Sequence, residues 1–114
     1  MPVQRLETLT SDPELLLCAK LALKAVHEWN NDPKFKYHPS PSEIGERVAK
    51  QLSGNADLRN ADDLDLDALN RERKKVKDLG VVEFLTKHGF VQALLPAAYW
   101  VPPDVAEYCP RLYE

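Results

Sequence analysis

The stretch "LNRERKKVKDLGVVEFLTKHGF", Leu69 to Phe90, decides how this chain is read. It places Arg71, Arg73, Lys74, Lys75 and Lys77 within seven positions, then a leucine and a glycine, then two apolar runs separated by "TKHG". Leu69, Val76 and Leu79 recur at helical spacing, and on the same wheel Asn70, Arg71, Lys74 and Lys77 point the other way. A helix ending at Gly80 is therefore expected, apolar on one side and basic on the other. Beyond Gly80 two readings compete. "VVEFL" and "FVQALL" are rich in residues that favour strands, and "TKHG" suits a four-residue hairpin loop. The other reading continues as a helix through Val82 and Leu85 to a stop at Gly89. Two successive valines after a glycine are poor helix material, so the hairpin is the expected element.

Upstream, two helix starts are written plainly. Asp12 is placed to cap a helix with Pro13 at its first position. Leu15, Ala19, Ala22, Val26 and Trp29 follow at helical spacing, and Leu16, Leu17, Leu21 and Leu23 widen the stripe. This helix is expected to run through the middle of the domain or to have a partner on a second face. "NNDPKFKYHPSPS" is a loop. Ser40 and Glu43 have capping-box spacing around Pro41, and Ile44, Val48 and Leu52 form a narrow stripe up to a stop at Gly54. Asn60 can cap the third helix. Asp62, Asp63, Asp65 and Asp67 then load its start, where the helix dipole favours carboxylates. The end of the chain, "PAAYWVPPDVAEYCPRLYE", is divided by prolines, with room for one short helix from Pro103 to Tyr108.

The chain has 114 residues, 44% hydrophobic and 29% charged, which suits one folded domain. It divides into an arm (1–11), a core (12–95) and an aromatic, proline-rich tail (96–114). The longest near-apolar run, Val91 to Val101, is too short to span a bilayer, and the N-terminal residues do not read as a secretory signal. Cys18 and Cys109 are then expected as reduced thiols in a cytoplasmic protein, or a nuclear one if the source is eukaryotic. The net charge is −3. Residues 70–89 hold six Lys/Arg against three acids, so +3 there leaves −6 for the rest, and a local basic face stands on an acidic protein.

Three helices followed by a hairpin resemble the winged helix-turn-helix domains. "PSEIGERVAKQL" stands as the second helix, "LNRERKKVKDLG" as the recognition helix and "VVEFLTKHGFVQALL" as the wing, over roughly Asp12 to Leu95. The resemblance implies a mainly α, winged-helix-like single domain with a small β-hairpin. It also implies a DNA-binding regulatory or accessory protein whose third helix enters the major groove. Asn70, Arg71, Arg73, Lys74 and Lys77 would then contact duplex DNA, and Lys87 would touch the backbone from the wing. Two alternatives stay open. The basic run is also what a solvated helix face looks like when it pairs with acids at helical spacing, such as Asp67 with Arg71. The acidic run and the aromatic tail (Tyr99, Trp100, Tyr108, Tyr113) also suit a protein partner or a homodimer. His27, His38 and His88 stand at no metal-ligand spacing, and no nucleophile elbow or phosphate-binding glycine loop occurs, so neither enzyme activity nor a cofactor or metal is expected.

Overall fold

In the computed structural model, residues 5–52, 66–94 and 98–113 are described, with backbone alone at Leu66 and Tyr113. Helix α1, Pro13–Asn31, starts as its sequence dictates. The Asp12 carboxylate accepts from the backbone N–H groups of Glu14 (3.0 Å) and Leu15 (3.4 Å). Cys18, Ala19, Ala22, Leu23, Val26 and Trp29 are buried along it. The small side chains at 18, 19 and 22 let neighbours come close, and α1 packs against Leu6–Thr8, Pro41–Leu52, Val81–Lys87, Ala98–Trp100 and Cys109–Tyr113. Leu15, Leu16 and Leu21 are half-buried and Leu17 is exposed, so the helix is central without being apolar all round.

Helix α2, Pro41–Leu52, begins with a reciprocal capping box. The Glu43 N–H donates to Ser40 Oγ (3.3 Å), and the Ser40 N–H donates to Glu43 Oε1 (3.1 Å). Ile44, Val48 and Ala49 face the core. Helix α3, Leu66–Leu79, packs chiefly on α2, and its Leu69 and Val76 are buried. The expected cap at Asn60, the stop at Gly54 and Asp62, Asp63 and Asp65 lie outside the described residues.

The expected hairpin over 81–95 is not what forms. Gly80 takes a left-handed conformation (φ 66°), ends α3 and redirects the chain into a second helix, α4, Val81–Lys87. Val81 and Leu85, one turn apart, are both buried. Thr86 Oγ1 donates to the Val82 carbonyl (2.8 Å), which a helical turn brings within reach. At the far end Gly89 is left-handed (φ 79°). The Gly89 N–H donates to the Thr86 carbonyl (3.2 Å), and the Phe90 N–H reaches back to the Leu85 carbonyl (2.9 Å). This is a Schellman stop, completed by buried Leu85 and Phe90. Burial of two side chains against α1 outweighs the few tenths of a kcal/mol by which each valine disfavours helix. "TKHG" is thus the end of a helix and not the tip of a wing.

A two-stranded antiparallel sheet does form, further along. β1, Gln92–Leu94, pairs with β2, Ala98–Trp100, in the register Gln92 to Trp100, Ala93 to Tyr99 and Leu94 to Ala98. Two short helices follow, α5 (Pro103–Ala106) and α6 (Cys109–Tyr113). Val101, Val105, Cys109 and Leu112 are buried, as is Leu6 near the other end, so the core draws on both ends of the chain. Cys18 and Cys109 are free thiols. No helix among the described residues is long and apolar enough to cross a membrane.

Candidate nucleic-acid interface

Helix α3 is two-sided. Leu69 and Val76 are buried, while Asn70, Arg71, Arg73, Lys74 and Lys77 are all exposed. None of the four cations forms an ion pair with a described residue. The pairing of Asp67 with Arg71 expected of a merely solvated face is absent, although the two stand four residues apart. The basic residue that does pair is Lys75, whose Nζ meets Glu14 Oε1 of α1 at 2.9 Å. That hydrogen bond, with the charge of the same carboxylate, raises the Lys75 ammonium above its ordinary value. Lys75 thus fastens α3 to α1 and is not part of the free set. Half-buried Glu72 has one buried carboxylate oxygen with no hydrogen-bond partner among the described residues.

Two hollows flank the basic face. A shallow one lies among Arg71, Lys74, Lys75, Asp78 and Leu79. A cleft of about 530 Å³ lies on the other side. Arg73, Lys74, Val76 and Lys77 of α3 form one bank, Pro41, Ser42 and Gly45 of α2 the other, and Val81, Val82 and Glu83 of α4 close the end. Lys74 belongs to both, so it stands on the ridge between them.

Lys87 is exposed at the last residue of α4 and not on a hairpin, so its expected role as a wing contact has no basis in the fold. The aromatic tail is also changed in meaning. Tyr99 and Trp100 are half-buried in β2, Tyr108 is exposed, and the side chain of Tyr113 lies outside the described residues.

A second cluster has no periodic signature in the sequence, because an irregular loop brings its members together across the ends of α1 and α2. Trp29 stacks on Phe35 with ring centres 3.9 Å apart, Tyr37 meets both edgewise, and the Arg47 guanidinium lies 4.6 Å from the Trp29 ring centre. Tyr37 Oη donates to Glu43 Oε2 (3.3 Å), and the charge of that carboxylate pushes the phenol upward. Trp29 Nε1 donates to the Tyr37 carbonyl (2.9 Å), so the cluster satisfies itself and ties the loop between α1 and α2 to both helices. No group of three or more metal-ligating side chains occurs among the described residues. Comparison with protein-family models, with curated proteins and with solved structures finds no match to this chain.

Proposed function

We propose that this is a small DNA-binding regulatory or accessory protein that lays the exposed face of α3 on duplex DNA. The observation that carries the reading is the set Arg71, Arg73, Lys74 and Lys77, exposed together with Asn70 on one helix and free of ion pairs with described residues. A cation already held by a carboxylate gives up that partner to bind phosphate, whereas none of these four is held by a carboxylate among the described residues. Arginine can fork onto guanine or phosphate, and lysine binds phosphate as a point charge. The face carries no aromatic ring on which a single strand's bases would stack, which favours a duplex. The test is fluorescence anisotropy of a labelled 20-base-pair duplex titrated with protein over a range of salt. Each phosphate neutralised contributes about −0.9 to the slope of log affinity against log salt. A slope near zero, or no binding at about 0.1 M salt, would hand this face to an acidic protein partner instead.

A further inference from the structure

Gly45 is a glycine the fold does not need. It sits inside α2, where glycine is destabilising relative to alanine. Its φ is not positive, so no turn demands it. A Cβ built there would meet nothing within 4 Å, so no neighbour demands it either. Bare helix backbone facing open space is where something outside the chain can come close.

What Gly45 faces is the cleft of about 530 Å³ whose opposite bank is Arg73, Lys74 and Lys77. Among the described residues, three cations line it against one carboxylate, Glu83, which is turned toward Gly80. Ser42 adds an exposed hydroxyl beside Gly45.

We infer that this cleft seats a backbone phosphate of the bound DNA, one strand passing over Gly45 between α2 and α3. The inference rests on the DNA-binding reading and adds to it a register. Arg73 and Lys77 grip the strand from within the cleft, Lys74 bridges from the ridge, and Arg71 acts outside it. A phosphate is the ligand because the polar side chains that the described residues place on the two banks are cations and a hydroxyl, all of which donate. Any side chain at 45 would occupy the space the phosphate needs, and an acidic one would also repel it.

Gly45→Ala and Gly45→Glu make the test, since a Cβ at 45 meets nothing within 4 Å in the free protein and both replace a residue that disfavours helix. Thermal melting of both should be at or above that of the parent. In the duplex titration Gly45→Glu should weaken binding on the order of tenfold or more and lower the salt slope by about one. Gly45→Ala should weaken it less and leave the slope nearly unchanged. If Gly45→Glu binds with the parent's affinity and slope while Arg71→Ala weakens binding, DNA lies on α3 but outside the cleft, and the inference is overturned with the broader reading intact. If the parent chain binds no duplex, both fall. Equal binding of a poly-glutamate peptide, abolished in Gly45→Glu, would overturn the phosphate in favour of an acidic protein ligand.

Discussion

Asn30 closes the structure at the level of a single side chain. From the last turn of α1 its Oδ1 accepts the Val101 N–H at 2.9 Å, and its Nδ2 meets His38 Nδ1 at 3.1 Å. One amide thus joins α1, the loop after it and the end of β2. Asn30→Ala would leave the part-buried Val101 N–H without a partner and should cost about 1–3 kcal/mol in denaturant unfolding. Such a bond, between residues 71 positions apart, leaves no trace in local sequence. The caps are the opposite case. Asp12-Pro13 and Ser40-Pro41-Ser42-Glu43 were legible because every partner lies within three residues. Cysteine burial gives a second prediction. Desolvation pushes the Cys109 thiol up to about 11 and raises that of Cys18 as well. Above the ordinary thiol range the unfolded chain releases protons that the folded chain still holds. Stability is therefore intact below that range and falls as pH rises toward about 11. Cys109→Ala should lose less stability than the parent between about pH 8 and 10, measured as denaturant midpoints at each pH.

At the level of elements, α4 marks where sequence legibility stopped. Its seven residues carry strand-like composition, and both glycines around it are ordinary hairpin punctuation. What makes it a helix is the surface of α1, which accepts Val81 and Leu85 one turn apart, and that surface is set by residues about fifty or more positions earlier. Tertiary burial decided between two readings that propensity had left close. The same reasoning separates the glycines. Gly89→Ala should destabilise by about 1–2 kcal/mol, because an L side chain is strained at φ 79°. Gly45→Ala should stabilise by up to about 1 kcal/mol, because helix propensity is the only quantity that changes. Opposite shifts in melting temperature are the expected outcome, and a stabilising Gly89→Ala would contradict the Schellman stop. Helix α2 allows a harsher check. Val48 is fully buried, and Val48→Asp should cost several kcal/mol by burying an unpaired charge. An unchanged melt would disprove its place in the core.

For the whole molecule the question is how a chain of net charge −3 meets a polyanion. The charge is not evenly spread, and residues 70–89 carry +3 against −6 elsewhere. At long range the acidic remainder repels DNA, while at close range the α3 face attracts it. Salt acts on these two effects over different distances. The Debye length is about 10 Å at 0.1 M salt, so long-range repulsion is already screened while attraction within the interface persists. Association should therefore be slower than for a basic domain at low salt, yet equilibrium affinity should still fall as salt rises, because counterion release follows the phosphates neutralised and not net charge. The basic face itself was legible from wheel positions alone. Its freedom from ion pairs with described residues was not, because Asp67 stands where it could have paired with Arg71 and does not. The combined variant Arg71→Ala, Lys74→Ala, Lys77→Ala removes three of the four cations that pair with no described residue, without touching a buried one. Its melting temperature should match the parent's within a few degrees, since exposed substitutions usually stay within about 0.5 kcal/mol. Its salt slope should become shallower by about 2.7, because each of the three cations, when present, neutralises one phosphate at about 0.9 apiece. A combined variant that keeps the parent's slope would mean that α3 is not the surface that meets the duplex.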